Sequence, residues 1–261
     1  MDLKEVRKHW ERASKRFSLK EDTTPTSRDP YLGQLEEEGI LRYLDKNKTV
    51  LEIGCGDASH TVRYAKKVKR LSAIDITKSL IDIAEKKATA GEIKNADFII
   101  GSALSIKEIY KGTRFNCVVS QRCLINLSSW KHQKDCILQI HGLLHRRGLC
   151  LLTEGFQDEL NNLNVFRRRM GLSKIRVVPY NKNLRHKNFD KFIKTYFDIV
   201  DIHHYGLYLF LSRVLYPFAI MPLEPKHTSR FNEAALKASQ VMDASDFKKY
   251  SYNLLYVLRK K

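Results

Sequence analysis

The chain has 261 residues, a length at which α/β proteins often form one domain. Hydrophobic residues make up 43% of it and charged residues 29%, which excludes a disordered or low-complexity chain. The net charge of +18 comes from 47 Lys and Arg against 29 Asp and Glu. It indicates either a solvated basic surface or attraction to an anion such as nucleic acid, lipid headgroups or a phosphorylated small molecule.

The five cysteines form neither a CxxC pattern nor a Cys/His metal spacing, so the sequence predicts no metal site. Most of them lie in apolar runs and are expected to be buried thiols. The N-terminal segment is charged throughout and has no apolar h-region, so no signal peptide is expected. A cytoplasmic protein fits these features.

Two helices are predicted in the N-terminal part, residues 1–45. The first, Leu3–Phe17, has apolar residues at helical spacing, and the second is Tyr31–Leu44. Short apolar strands then alternate with helices over residues 46–155. The strands are Thr49–Ile53, Leu71–Ile76, Phe98–Ile100, Phe115–Ser120 and Leu149–Thr153, and the helices are Ser59–Lys67, Lys78–Ala90 and Lys131–His145. This alternation predicts a parallel sheet covered on both faces.

The C-terminal part, residues 156–261, is less regular. It predicts a helix at Phe189–Phe197 and strands at Asp198–Tyr205 and Tyr250–Leu258. We therefore expect a single α/β domain, Rossmann-like, with a doubly wound, mostly parallel sheet of about seven strands and helices on both faces. An apolar segment, residues 205–225, precedes the last strand and is too short and too interrupted by proline to span a membrane.

The segment VLEIGCGDASH, residues 50–60, follows the first strand and opens a helix. Its glycines allow a tight turn and close approach of a ligand to the backbone. Asp75 ends the second strand, where a carboxylate typically binds the ribose hydroxyls of a nucleoside cofactor. A dinucleotide site would need a third glycine and is disfavoured by the acidic Glu52 before the turn. A cofactor that carries an ammonium and a sulfonium group suits Glu52 better.

The segment with Glu52, Gly54, Gly56 and Asp75 resembles the first two motifs of class I S-adenosylmethionine-dependent methyltransferases. Ala58 stands where the family usually has a third glycine. The resemblance continues through FIIGSAL, FNCVVSQRCLINL and LHRRGLCLLTEG, and covers residues 49–155. It implies a Rossmann-like methyltransferase that uses S-adenosyl-L-methionine; the alternatives are a relative that has lost activity and another nucleoside-binding protein.

The resemblance also implies roles for individual residues. Gly54 and Gly56 would let the backbone pass along the methionine part of the cofactor, and Glu52 would lie near its amino end. Asp75 would accept hydrogen bonds from the ribose hydroxyls. The other expected cofactor contacts are Ile76, Ser102 and Ala103 around the adenine and Gln121 near the sulfonium.

Methyl transfer needs an aligned nucleophile and, for weak nucleophiles, a base. The candidates are Glu154, after the fifth strand, and His203 and His204, after the sixth; a capping Glu or an exposed His explains each equally well. Arg28, Tyr31 and Asn126 are candidates for contacts to the acceptor or the cap. The 205–225 segment is expected to be a lid over the acceptor pocket or an interfacial element beside anionic headgroups.

The sequence does not name the acceptor. The strand-four segment, with Ser120 and Gln121, lacks the motifs of amino-methyltransferases acting on adenine and of cytosine C5 enzymes. We expect methylation of O or N in a small-molecule, sugar or lipid-linked acceptor that is anionic, with possible peripheral membrane association. The alternative is an RNA methyltransferase. The basic residues expected to form an anion-facing surface are Arg167, Arg168, Arg169, Lys174, Arg176, Lys182, Arg185 and Lys187.

Overall fold

Seven strands form one sheet in the computed structural model, which describes residues 3–15, 26 and 28–261. The strands are β1 (Thr49–Ile53), β2 (Arg70–Asp75), β3 (Ala96–Ile100), β4 (Phe115–Gln121), β5 (Leu144–Gly155), β6 (Phe197–His204) and β7 (Asn253–Lys260). Their order is β3-β2-β1-β4-β5-β7-β6, and only β7 runs antiparallel to its neighbours. The predicted α/β fold with a mostly parallel seven-stranded sheet is confirmed.

The direction of winding reverses between β1 and β4. The chain moves outward from β1 through β2 to β3 and then returns to β4, which pairs with the other side of β1. Neighbouring connections therefore leave to opposite sides and open a crevice at the carboxyl ends of β1 and β4. In open parallel sheets ligands bind at this point.

Helices cover both faces of the sheet. They are α1 (Leu3–Lys15), α2 (Pro30–Leu41), α3 (Thr61–Lys67), α4 (Lys78–Ala90), α5 (Ile106–Ile109), α6 (Trp130–Leu143), α7 (Gln157–Arg169), α8 (His186–Tyr196), α9 (Gly206–Phe210), α10 (Tyr216–Ile220) and α11 (Arg230–Val241). Alternate strand residues pack into opposite cores because side chains of a strand alternate between faces. In β4, Val118 joins the core under α5, α6 and α8, whereas Cys117 and Val119 join the core under α2, α3 and α11.

The C-terminal part departs most from the predicted elements. Helices α7 and α11 were not predicted, because at least half of the residues in each are polar and only a few, such as Leu160 and Leu163 in α7, are buried. The β7 strand begins at Asn253 rather than Tyr250, and residues 245–250 form a short 3-10 helix. The predicted α1 end at Phe17 lies outside the described residues.

The 205–225 segment is largely helical. Helix α9 continues through a π-helical turn, Leu211–Leu215, into α10. Leu207, Tyr208 and Leu209 are buried, so this part packs on the protein rather than standing away from it. Among the helices of the described residues, none combines the length and apolar content needed to cross a bilayer.

Candidate active site

The turn after β1 needs glycine at two positions. Gly54 and Gly56 have φ angles of +74° and +55°, a backbone conformation that residues with a side chain rarely adopt. A Cβ on Gly54 would lie 2.7 Å from the Cβ of Cys123, and one on Gly56 would lie 2.7 Å from the Cγ2 of Thr26. The backbone therefore carries no side chain at these two positions beside the crevice.

Asp75 at the end of β2 is fixed by backbone donors. Its Oδ2 accepts from the Gly56 amide at 3.0 Å, and its Oδ1 accepts from the Thr77 amide at 2.8 Å. Each carboxylate oxygen keeps a further lone pair for another donor. Burial raises the pKa of Asp75, although the two backbone donors oppose the shift.

Glu52 is the buried carboxylate of this turn. Only 3% of its surface is exposed, and its Oε2 has no hydrogen-bond partner among the described residues. Burial raises the pKa of Glu52 to about 7, although the neighbouring Thr61 hydroxyl and His60 lower it. A buried, unpaired carboxylate oxygen is costly and fits a donor supplied by a ligand.

A cavity of about 1090 Å³ opens beside the turn and brings the expected cofactor residues together. Its lining includes all eight of them: Glu52, Gly54, Gly56, Asp75, Ile76, Ser102, Ala103 and Gln121. Of the acceptor or cap candidates, Arg28 and Asn126 line the cavity, and Tyr31 does not.

Gln121 is held by a network around a fully buried carboxylate. Its Nε2 donates to Glu36 Oε2 at 2.8 Å, and its Oε1 accepts from the Tyr64 hydroxyl at 3.0 Å. Asn253 Nδ2 donates to the other oxygen of Glu36 at 2.6 Å. Sequence reasoning missed Glu36, because nothing in the α2 pattern distinguishes it from a solvated Glu.

An aromatic cluster forms another part of the wall. The ring centroids of His9 and Tyr180 are 4.2 Å apart, and those of Trp10 and Tyr180 are 5.8 Å apart. The indole Nε1 of Trp10 donates to Asn126 Oδ1 at 3.1 Å, which joins α1 to the turn after β4. The sequence predicted the helix around Trp10 but gave no signal for the 175–183 segment that carries Tyr180.

Cationic and imidazole groups occupy the cavity wall near the end of the 205–225 segment. Arg213 forms an ion pair with Asp29, whose Oδ1 also accepts from the Tyr208 hydroxyl at 2.7 Å. Arg213, His227 and the exposed Arg28 all line the cavity. Burial is the main reason for the lowered pKa of His227, and the charges of Arg213 and Arg28 lower it further.

The three catalytic candidates from the sequence lie outside the cavity lining. Glu154 is fully buried and accepts from the amides of Leu124 and Ile125 at 2.9 and 3.1 Å and from the Ser120 hydroxyl at 3.2 Å. Burial raises the pKa of Glu154 to about 8. The expectation that Glu154 faces the acceptor is therefore corrected, because its carboxyl group instead anchors the turn after β4.

His203 and His204 are displaced for a topological reason. They end β6, the edge strand, which lies three strand spacings or about 14 Å from β4. The His203 ring bonds to the Tyr43 hydroxyl at 2.8 Å and lies 3.2 Å from an Asp201 oxygen. Both histidines lie at the carboxyl ends of the strands, as the cavity does, but on the outermost strand of the sheet, away from β1 and β4.

Arg167 does not belong to the basic surface that the sequence predicted. It is 8% exposed, and it donates to the carbonyl oxygens of Ser173, at 2.8 Å, and of Arg213. Arg168 and Arg169 beside it are exposed. The cluster that looked continuous in sequence is divided by the helical turn into one structural and two solvated residues.

Among the residues that the structure describes, one group of side chains has the proximity that a metal site needs. Asp158, Glu159 and His186 place ligand atoms within 4.8 Å of one another. His186 already bonds to Glu159 Oε1 at 2.7 Å, and hydrogen bonds to Asp190 and Glu159 raise the pKa of His186 to about 10. The His186 amide also donates to Asp158 Oδ2 at 3.1 Å, so hydrogen bonds account for the proximity of the three side chains, and we assign no metal here.

Comparison with known proteins decides the family. A family model described as a methyltransferase domain matches residues 44–175, half of the chain. The chain belongs to this methyltransferase family. It is an S-adenosylmethionine-dependent methyltransferase. No curated protein sequence matches it significantly.

Solved structures share the methyltransferase fold. They include the N-methyltransferase NodS from Bradyrhizobium japonicum WM9, at 14% identity over 98% of both chains with a TM-score of 0.59. Magnesium protoporphyrin IX methyltransferase from Synechocystis PCC 6803 has 13% identity over 100% of both chains and a TM-score of 0.65. Phosphoethanolamine N-methyltransferase 1 of Haemonchus contortus has 14% identity and a TM-score of 0.63. The match covers 100% of this chain and 50% of the Haemonchus chain.

The methyltransferase cavity fits its cofactor chemically. Glu52 Oε2, which has no partner in the described part of the chain, suits an ammonium group. The backbone at Gly54 and Gly56 gives room where any side chain would clash. Asp75 keeps acceptor capacity for hydroxyl donors.

Proposed function

We propose that this methyltransferase modifies an O or N atom of a small-molecule, sugar or lipid-linked acceptor that carries an anionic group. The observation that carries the proposal is a single cavity with two chemically different parts. Acidic side chains, Glu52 and Asp75, lie at the glycine turn. Another part of the lining carries the exposed Arg12, Arg28 and Arg176, besides the neutral His227 and the Arg213 that pairs with Asp29. A positively charged part favours an acceptor with phosphate or carboxylate groups.

We propose that the eight residues expected from the sequence, all of which line this cavity, contact the cofactor. S-adenosylmethionine supplies a methyl group already activated by a sulfonium. Glu52 would accept from the ammonium group and Asp75 from ribose hydroxyls. Glu36 would position the Gln121 amide, and Glu154 would hold the turn after β4 that forms the adjoining wall.

An acceptor oxygen or protonated amine must also lose a proton. Three imidazoles, His9, His60 and His227, line the cavity. His60 is hydrogen-bonded to Glu37 at 2.8 Å, whereas burial together with nearby arginines lowers the pKa of His9 and of His227. Both are therefore neutral at pH 7 and able to accept a proton. We propose that one of them acts as the base and that the cationic wall orients the acceptor.

Calorimetry with S-adenosylhomocysteine tests the site. Asp75→Ala should weaken binding at least about tenfold, because two ribose hydrogen bonds to a charged group are lost. The control is Asp97→Ala, an exposed Asp on β3 that pairs with Arg70 outside the cavity. Equal affinities of the two variants would remove Asp75 from the site.

The acceptor is best sought without a prior choice. Metabolites and modified RNA nucleosides compared after deletion of the gene should show loss of a methylated anionic small molecule or lipid. Loss of an RNA modification would instead establish the alternative activity on nucleic acid. Five free thiols, four of them buried, support a reducing and hence cytoplasmic setting.

A further inference from the structure

We propose that an exposed apolar face beside the cavity docks onto the surface of an anionic lipid bilayer. This apolar face is formed by Leu215, Phe218, Met221, Leu223 and Phe231.

All five side chains of the apolar face are exposed. Leu223 is 71% exposed, Met221 50% and Phe218 45%. Isolated exposed hydrophobic residues are common on protein surfaces, but these five are concentrated within residues 215–231. Leu215 and Phe218 are three positions apart in a helical stretch and so lie on the same side of it.

The packing of α10 holds these side chains outward. Ser212 and Val214, in the π-helical turn, are buried, whereas Leu215 and Phe218 point away from the core. Tyr216 stacks on Phe231 with ring centroids 5.0 Å apart, which ties α10 to α11. The hydrophobic residues are thus presented on a fixed support.

Charge identifies the occupant. Lys226 and Arg230 on the same stretch and Arg28 near His227 are exposed, and none of them forms an ion pair with the described residues. Glu224 is the one acidic residue among residues 221–230. Exposed apolar side chains flanked by cations suit the interface of an anionic membrane, where the apolar groups enter the headgroup boundary. The net charge of +18 opposes contact with a second copy of the chain.

The apolar face is close to the cavity along the chain. Arg213 and His227, which line the cavity, come from the segment that carries Leu215 and Leu223. A bilayer on this face would lie beside the cationic wall, so a lipid-linked acceptor could reach it from the headgroup layer. Docking requires only this surface and stands independently of the acceptor and of the cofactor site.

Vesicle cosedimentation tests the docking. The 261-residue chain should bind vesicles of phosphatidylcholine with phosphatidylglycerol, and bind pure phosphatidylcholine vesicles more weakly. Phe218→Ser with Leu223→Ser should lower the affinity at least about tenfold, since two partly buried apolar side chains are lost from the interface. Lys226→Glu with Arg230→Glu should also weaken binding, and added salt should reduce it further.

The matched control is Leu138→Ser, a 39% exposed leucine on α6, on the opposite face of the sheet. It should bind vesicles like the parent, and thermal unfolding by circular dichroism shows whether every variant is folded. Absence of vesicle binding by the parent, or equal binding by the Phe218/Leu223 variant, overturns the proposal. So does a dimer in analytical ultracentrifugation that the same variant dissociates, because the occupant would then be a second copy.

Discussion

At the scale of single residues, burial determines what each carboxyl group of this protein does. Glu52 and Glu154 both end buried strands, yet Glu154 accepts three hydrogen bonds from its own fold, whereas the Oε2 of Glu52 has no partner among the described residues. The first is therefore structural and the second is available to a ligand.

Cofactor binding should depend on pH through Glu52. Burial raises the pKa of Glu52 to about 7, above its ordinary value. A bound ammonium group favours the ionised form, so affinity should rise as pH increases through about 7 and binding should release a proton there. Calorimetry in buffers of different ionisation enthalpy measures that release.

The matched variant is Glu52→Gln, which cannot ionise. It should bind S-adenosylhomocysteine more weakly at pH 8, with affinity that no longer changes with pH. The same raised pKa makes the free protein less stable as pH rises from about 4.5 to 7, because the folded state holds the proton more tightly than the unfolded state does. A pH-independent parent would remove Glu52 from the cofactor contact.

Ala58 occupies a backbone position that favours glycine. Its φ angle is +59° and it is fully buried at the third position of the glycine motif. Relief of left-handed strain, about 1–2 kcal/mol, exceeds the entropic penalty of glycine, about 0.5–1 kcal/mol. Ala58→Gly should therefore raise the free energy of unfolding slightly in urea titrations. Ala84→Gly, inside α4, has no such strain to relieve and should lower it by about 1 kcal/mol.

At the scale of elements, the cap and the 205–225 segment are joined through one buried ion pair. Asp29 caps α2 by accepting from the Leu32 amide at 3.0 Å and also binds Tyr208 and Arg213. Two segments almost two hundred residues apart therefore form one side of the cavity.

Removal of Asp29 should be strongly destabilising. Asp29→Ala leaves the guanidinium of Arg213 buried without its counter-charge, for which breakage of buried pairs indicates a loss of about 3–5 kcal/mol. Asp45→Ala, which breaks an exposed pair with Lys48, should lower the free energy of unfolding by less than about 1 kcal/mol. Denaturant titration compares the two, and equal losses would show that the buried pair has no special role.

At the scale of the whole molecule, the excess positive charge is spread over surfaces with different roles. Arg213 and Arg28 line the cavity, Arg167 crosslinks backbone carbonyls, and Arg168 and Arg169 face solvent at the end of α7. A count of charges cannot separate these uses.

Charge reversal within α7 should separate them. Arg168→Glu with Arg169→Glu should leave the affinity for S-adenosylhomocysteine and the free energy of unfolding nearly unchanged, because both side chains are exposed. Arg167→Ala should lower the free energy of unfolding by about 1–3 kcal/mol, since two carbonyl groups lose their donor. A change in cofactor affinity in the double variant would contradict this division.

The sequence by itself determined the fold and predicted the residues that we propose as the cofactor end of the cavity. Apolar strands alternating with helices specify a parallel sheet, and the turn with Gly54, Gly56 and Asp75 is local in sequence or follows a strand end, so its chemistry is readable without tertiary contacts. The placement of these residues around one cavity agrees with that reading. Only the tertiary structure brought Asp29, Arg213 and Tyr180 from separate segments into the lining of the cavity, where we propose that the acceptor binds. It also decided which strand ends lie at the crevice. Because β6 is an edge strand, His203 and His204 are too far away. The Glu154 carboxyl group is fully buried and binds the amides of the turn after β4.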